Sequence, residues 1–274
     1  MTPVVVLTVA GSDSGGGAGI QADLRTFAAL GVHGACAVTA VTAQNTAEVR
    51  AVHAVPPDMV EAQIAAVLAD LTVAAVKTGM LATREIAEVV AARARAGDLP
   101  SLVVDPVLVA SSGGRLFDAS FESAYLDLLF PLAAVITPNL PEAEVLLGRQ
   151  LSTVDDMAGA AEELAKTGAR CVVVKGGHLR EGSDAVDVVW HAGQATELRR
   201  PWVRSANNHG TGCSFASATA AGLALGQPVT DALAGAKDFV STALAGGAAW
   251  RLGAGHGPLD HLGWNTPSPH KEQP

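Results

Sequence analysis

Residues 4–30 read VVVLTVAGSDSGGGAGIQADLRTFAAL. An apolar run, Val4–Ala10, feeds a glycine-rich loop, Gly11–Gly19, and then Gly19–Leu30, whose apolar spacing is that of a helix. The run lacks polar alternation, as a strand covered on both faces does. The same grammar recurs along the chain with other residues. Cys36–Ala43, Val73–Lys77, Leu102–Val109, Ala134–Thr137 and Cys171–Lys175 read as further strands. Asp58–Leu71, Thr83–Ala96, Phe121–Phe130, Pro141–Leu147 and Asp155–Thr167 read as the helices between them. Asn139 is the expected N-cap of Pro141–Leu147, and Gly148 its expected stop. Val186–His191 adds a strand near one edge, and Gly212–Leu225 and Val229–Arg251 close the chain as helices. The order βαβα predicts an α/β fold: a mostly parallel central sheet with helices on both faces. No fixed-period repeat or strong linker divides it, so residues 1–264 are expected to form a single domain. The polar, proline-rich stretch 265–274 is expected to be a disordered tail.

The 274 residues carry a net charge of −9 and no Lys/Arg cluster. A broad nucleic-acid face and an anionic membrane surface are therefore both excluded as partners. An anionic ligand has to be met locally, by a few basic residues and backbone N–H groups. The three cysteines, Cys36, Cys171 and Cys213, lack metal or redox spacing, which fits a reducing, cytoplasmic setting. The N-terminus has no basic leader, and no apolar run reaches the ~18 residues of a membrane helix.

Polar residues gather directly after the apolar runs: Ser12-Asp13, Gln44-Asn45, Lys77-Thr78, Asp105, Thr137–Asn139 and Lys175-Gly176. In a parallel sheet these are carboxyl ends and share one rim, where open α/β sheets bind ligands. On that rim the glycine loop contains Gly17-x-Gly19-x-x-Ala22, a relaxed dinucleotide fingerprint. Its glycines begin too late after the strand, and the second strand ends in Gln44 rather than a ribose-binding acid, so a substrate-facing loop is the better reading. Asp23, taken alone, is an ordinary helix-start acid. Gln44 offers a donor and an acceptor together, which suits an aminopyrimidine edge.

Asp105 lies inside an apolar run, where it is costly to bury without a partner, and Pro106 marks an irregularity in that strand. With Asn139 and Glu142 it supplies oxygen ligands for Mg²⁺ carrying nucleotide phosphates. Lys175 closes a strand just before Gly176-Gly177 and is placed to meet phosphate charge. The strongest signal is Asn207-Asn208-His209-Gly210-Thr211-Gly212-Cys213, followed by small residues. A glycine-bearing helix start presents free N–H groups and partial positive charge to an anion, a cup suited to a transferring phosphoryl group. No Walker A sequence occurs.

At these residues the chain resembles the ribokinase-like superfamily, and within it the hydroxymethylpyrimidine/phosphomethylpyrimidine kinases of thiamine biosynthesis. The likeness spans nearly the whole chain. It runs through Ala10–Asp13 with Gly16–Asp23, Thr42–Thr46, Lys77–Leu81, Asp105–Val107, Thr137–Ala143, Lys175–His178 and His209–Cys213. The resemblance implies a ribokinase-like three-layer sandwich. The implied reaction is ATP-dependent phosphorylation of 4-amino-5-hydroxymethyl-2-methylpyrimidine and then of its monophosphate. Gly11, Asp23 and Gln44 are implied to hold the pyrimidine, with Met80 and Val107 as apolar walls. Asn139, Glu142, Lys175 and Thr211 are implied for ATP, Asp105 and Glu142 for Mg²⁺, and Gly210, Thr211, Gly212, Cys213 and Lys175 for catalysis. A homodimer and a response to K⁺ are further implications.

Two departures stand out. Cys213 occupies the place where the wider superfamily has an Asp base, as this branch commonly does, and a helix start is expected to make its thiolate accessible. Ser111 stands where the family often has Lys, which removes one basic phosphate contact. The rival readings are a pyridoxal- or pyridoxine-type kinase, a pyrimidine-binding regulator that has lost transfer, and a dinucleotide oxidoreductase. Gln44 favours the aminopyrimidine over the first; Lys175, Glu142 and the intact cup speak against the second.

Overall fold

The N-terminal run forms β1 (Val5–Asp13), which lies inside the sheet rather than at its edge. Leu7 and Val9 enter one core and Val6 the other, so both faces are covered and the sequence has no polar alternation. The structure, a computed structural model, describes residues 2–108, 119–177, 179 and 183–265. Val109, Ser111, His178 and the tail from residue 266 onward lie outside the described residues.

The other strands are β2 (His33–Gln44), β3 (Val49–Ala54), β4 (Val73–Thr78), β5 (Val103–Val104), β6 (Val135–Ile136), β7 (Cys171–Lys175), β8 (Asp184–His191) and β9 (Gln194–Pro201). They form one sheet in the order β3-β2-β1-β4-β5-β6-β7-β8-β9. From β2 to β7 all neighbours are parallel, while β3, β8 and β9 join antiparallel. The helices are α1 (Gly19–Ala29), α2 (Pro57–Asp70), α3 (Arg84–Arg95), α4 (Ala119–Ala124), α5 (Leu140–Leu147), α6 (Val154–Ala165), α7 (Thr211–Ala224) and α8 (Val229–Gly247). Tyr125–Leu129 continues α4 as a π-helical turn. Helices α2 to α6 cover one face, burying Ile64, Val90, Tyr125, Leu146 and Leu164. Helices α1, α7 and α8 cover the other, burying Phe27, Phe215, Leu233 and Val240. The expected three-layer α/β sandwich is the observed architecture.

The predicted strand Leu102–Val109 is corrected to two ladder residues. Pro106 has no N–H to give, and Val107 N–H turns back onto the Asp105 carbonyl at 2.9 Å, so the chain leaves the sheet at Asp105. Strands β3 and β9 went unpredicted because their residues are largely exposed and carry no apolar run. Consequently β8, expected near an edge, is one strand in from it. Asn265, assigned to the tail from sequence, donates to Asp260 and Gly246 and belongs to the fold.

Local signals set the site-bearing turns. Asn139 caps α5 by accepting from Glu142 N–H, while Glu142 accepts from Asn139 N–H, a reciprocal capping box. Gly148 ends the helix at φ 65°. Helix α7 is buried along Ser214–Gly222, and its small side chains let it sit against α1, α8 and β4 at once. That central placement points its first turn at the carboxyl rim.

Candidate active site

The first turn of α7 begins at Gly210, with φ 87°, where a Cβ would also collide with the Gly17 carbonyl oxygen. Only glycine fits both demands. The N–H groups of Gly212 and Cys213 fall in the first turn and have no carbonyl four residues back within the helix. Directly beside them lies Lys175: a Cβ on Gly212 would stand 3.0 Å from its Nζ and 3.6 Å from Asp105 Oδ2. The helix start, the end of β7 and the end of β5 thus meet at one point. Thr211 Oγ1 donates to the Asn208 carbonyl at 2.6 Å, which fixes the turn and leaves its oxygen able to accept.

Lys175 Nζ donates to Asp105 Oδ1 at 2.8 Å, and Thr137 Oγ1 donates to the same oxygen at 3.1 Å. Burial pulls the Lys175 ammonium down, but Asp105 and Glu142 outweigh it and hold the pKa above the ordinary range. Glu142 is buried, and burial pushes its carboxyl up to about 8; Lys175 pulls it back and Asp105 pushes it further. Two buried carboxylates therefore share one buried ammonium. The surplus negative charge is met by a proton or by a cation. Asp105 and Glu142 accordingly fit a divalent ion that keeps water and phosphate oxygens as its remaining ligands.

Under this layer Asp23 takes a place unlike either of its sequence readings. It has no exposed surface, and its carboxylate accepts from Thr8 Oγ1 at 2.6 Å and Ser217 Oγ at 2.7 Å. It also accepts both of its short ion-pair contacts, at 3.0 and 2.9 Å, from the fully buried Lys77. Asp23 is thus corrected from a ring-holding group to one half of a buried ion pair: its acceptors are spent inside the core. Ser217 lies one helical turn after Cys213 on the same face of α7, so the pair stands below the cup. Burial pushes the half-buried Cys213 thiol up to about 11; Lys77 draws it down, and Asp23 and Asp105 push it up again. The expected accessible thiolate is therefore corrected to a neutral thiol, because desolvation exceeds the helix-start effect.

At the other end of the rim, the glycine loop is wound around Asp13. The Asp13 carboxylate accepts from Gly15 N–H at 2.8 Å, Gly17 N–H at 3.0 Å and Ala18 N–H at 2.9 Å. Those N–H groups are not available to a pyrophosphate, which removes the dinucleotide reading. Burial raises the Asp13 carboxyl, but the bonds from His209, Ala18 and Gly15 leave it below its ordinary value. His209 Nε2 stands 3.0 Å from Asp13 Oδ2 and 3.2 Å from the Gln44 amide nitrogen, while Gln44 Oε1 lies 3.2 Å from Thr42 Oγ1. Gly11 and Met80 also meet: a Cβ on Gly11 would stand 2.5 Å from Met80 Cε. Val107 follows the turn at Pro106 and is part-exposed.

The rim residues named from sequence thus fall into two groups. Gly210, Thr211, Gly212, Cys213, Lys175, Asp105, Asn139 and Glu142 converge; Gly11, Met80 and Gln44 line the glycine-loop end. Sequence reasoning gave no role to Asp13, His209, Lys77 or Thr137. A signal existed for Lys77 itself, a cation ending an apolar strand, but not for its pairing with Asp23, 54 positions away.

Residues 13–260 match the family described as phosphomethylpyrimidine kinase. Over 257 residues the chain is 48% identical to a Geobacter sulfurreducens protein named thiamine biosynthesis bifunctional protein ThiED, covering 94% of this chain and 52% of that one. Over 260 residues it is 46% identical to a Rhizobium meliloti hydroxymethylpyrimidine/phosphomethylpyrimidine kinase, covering 94% and 97%. It thus spans about half the length of the Geobacter relative and nearly all of the Rhizobium one. An ADP complex of Bacillus subtilis pyridoxal kinase superposes with a TM-score of 0.87 at 38% identity, covering 95% of this chain and 98% of that one.

Proposed function

The chain belongs to the phosphomethylpyrimidine kinase family, and from that premise we propose that it is an ATP-dependent kinase of 4-amino-5-hydroxymethyl-2-methylpyrimidine and of its monophosphate, serving thiamine biosynthesis. The observation that carries the reading is the meeting of Lys175 and Asp105 beneath Gly212, at the opposite end of the rim from Gln44. Gln44, Gly11, Met80 and Val107 hold the ring, and the hydroxymethyl oxygen faces Cys213. Asn139, Glu142, Lys175 and Thr211 meet the nucleotide. Asp105 and Glu142 would hold Mg²⁺, which supplies charge neutralisation at the phosphates. Lys175 and the N–H groups of Gly212 and Cys213 receive the charge on the equatorial oxygens as the phosphoryl group passes. A cytoplasmic location is part of the same proposal.

The test is product identification by mass spectrometry after incubation with hydroxymethylpyrimidine and MgATP, run in K⁺ and in Na⁺. Mono- and diphosphate are the expected products. Pyridoxal phosphate with no pyrimidine product would establish the second reading, a pyridoxal-type kinase, which the superposition on pyridoxal kinase favours. Binding of the pyrimidine with no phosphorylated product at any ATP concentration would establish a regulator.

Since the Cys213 thiol is neutral near pH 7 and the transition state is loose, the thiol contributes modestly as a base. Cys213→Ala is expected to lower kcat about tenfold while leaving the pyrimidine KM within about twofold. A thiol that must lose its proton to act as base gains rate as pH rises toward 11. The wild-type kcat should therefore climb with pH and the variant's should not; parallel profiles would remove Cys213 as the base.

A homodimer is also part of this reading. Val41, Val52 and Met59 are each about half exposed on the β3 side of the sheet, where β3 leaves an unpaired edge. Light scattering is expected to give twice the 27.7 kDa of one chain, and Val52→Glu is expected to shift it to one.

A further inference from the structure

We propose that His209 is a positioning residue for the pyrimidine: locked by Asp13, it turns the Gln44 amide oxygen toward the imidazole and so sets which ring edges Gln44 accepts. This rests on the kinase reading above. Asp13 is held as a carboxylate by three loop N–H groups and can only accept. His209 Nε2, at 3.0 Å from Asp13 Oδ2, therefore carries the ring hydrogen. On the other side, Thr42 Oγ1 lies 3.1 Å from the Ser12 carbonyl, which also can only accept, so the single threonine hydrogen goes there.

Both neighbours of the Gln44 amide are now defined: a donor at His209 and an acceptor at Thr42. With nitrogen toward the imidazole, the amide would set N–H against N–H at 3.2 Å, and its oxygen would have to share the one Thr42 hydrogen with the Ser12 carbonyl. A half-turn about Cγ–Cδ, with no other atom moved, replaces the N–H against N–H contact by an amide oxygen that shares the Nε2 hydrogen with Asp13 Oδ2, and it lets the Gln44 N–H donate to Thr42 Oγ1. One N–H and one oxygen lone pair of Gln44 then remain for a ligand. They match a ring nitrogen that accepts beside an amino group that donates; a ring without that amino group fills only one of the two. His209 is also pinned in place, since a Cβ on Gly17 would collide with its ring. Asp13 thus links three things at once: the glycine loop, the residue before the phosphate cup, and the orientation of the specificity amide.

The test is steady-state kinetics with hydroxymethylpyrimidine and ATP for the wild type, His209→Leu, His209→Gln, Gln44→Ala and the double variant His209→Leu/Gln44→Ala. His209→Leu is expected to raise the pyrimidine KM about tenfold, the scale of one lost hydrogen bond, with the ATP KM within about twofold. His209→Gln offers an N–H at the reach of Nε2 and is expected to recover the pyrimidine KM to within about threefold. The double variant is expected to be no worse than Gln44→Ala alone, because the effect passes through Gln44. Additive losses in the double variant, or equal rises in both KM values, would overturn the proposal. If His209→Leu shows no cooperative melt, His209→Asn, which withdraws the donor from the position of Nε2, takes its place with the same expectations. Absence of wild-type turnover of hydroxymethylpyrimidine would defeat the kinase reading itself; turnover with additive losses would defeat only the positioning role.

Discussion

Lys77→Met is expected to lower the unfolding free energy by about 3–5 kcal/mol, the cost of breaking a buried ion pair from one side. Lys77 and Asp23 both have no exposed side-chain surface. Methionine fills most of the space but leaves the Asp23 carboxylate with only the Thr8 and Ser217 hydroxyls. Two hydrogen bonds do not compensate a charge taken out of water. Burial alone would pull the Lys77 ammonium down, yet Asp23 holds it above its ordinary range, so Lys77 keeps its charge in the fold. Urea unfolding of the two proteins measures the difference, with the midpoint shifting and the slope unchanged. Against a typical total of about 5–15 kcal/mol, such a loss is large. The double variant Lys77→Met/Asp23→Asn removes the stranded charge and is expected to recover at least half of it. A loss below about 1 kcal/mol in the single variant would show that the pair contributes little.

That pair also marks where sequence reading stopped. The layers were legible because fully covered strands such as Cys171–Lys175 show continuous apolar runs, and because Asn139, Glu142 and Gly148 write the limits of α5 in cap chemistry. Strands β3 and β9 were not, because an exposed edge strand needs no apolar side chains. In the site, glycines and rim positions were legible because backbone approach and strand ends follow from the pattern. The partners of charges were not. Asp23 reads as a helix-start acid until the fold brings Lys77 across from β4, and Asp13 reads as a loop polar residue until three glycine-loop N–H groups close on it. Pairings across 54 or 196 positions leave no trace in local spacing. The same holds for Cys213: a helix start suggests an accessible thiolate, but the surrounding burial, which decides the sign, is a tertiary property.

Lys175→Met is expected to lower kcat by about 10²–10³, the scale for removing one preorganised group that meets transition-state charge. Lys175 Nζ lies at the helix start, 3.0 Å from where a Gly212 Cβ would stand and 2.8 Å from Asp105 Oδ1. The transferring group gains charge on oxygens that would face this point, whereas the pyrimidine sits at the Gln44 end, so its KM should move by no more than about threefold. A second effect follows from the carboxylates. Lys175 holds Glu142 down against burial and Asp105; without the ammonium, its pKa rises further above about 8, and at neutral pH the carboxyl keeps its proton more firmly. A metal ion must then displace that proton, so the Mg²⁺ concentration for half-maximal rate is expected to rise in the variant. The shift should shrink as the pH is raised, because deprotonation is then favoured again. Lys175→Arg does not offer a simple control, since a guanidinium is larger than the ammonium and even a Cβ added on Gly212 would stand only 3.0 Å from Nζ. The control is Lys175→Met/Asp105→Asn, which removes the stranded Asp105 charge: it is expected to restore stability in urea but not kcat. Recovery of kcat in that double variant would mean that Lys175 serves only to neutralise Asp105, and a single-variant kcat within about fivefold of wild type would remove Lys175 from the transfer step altogether.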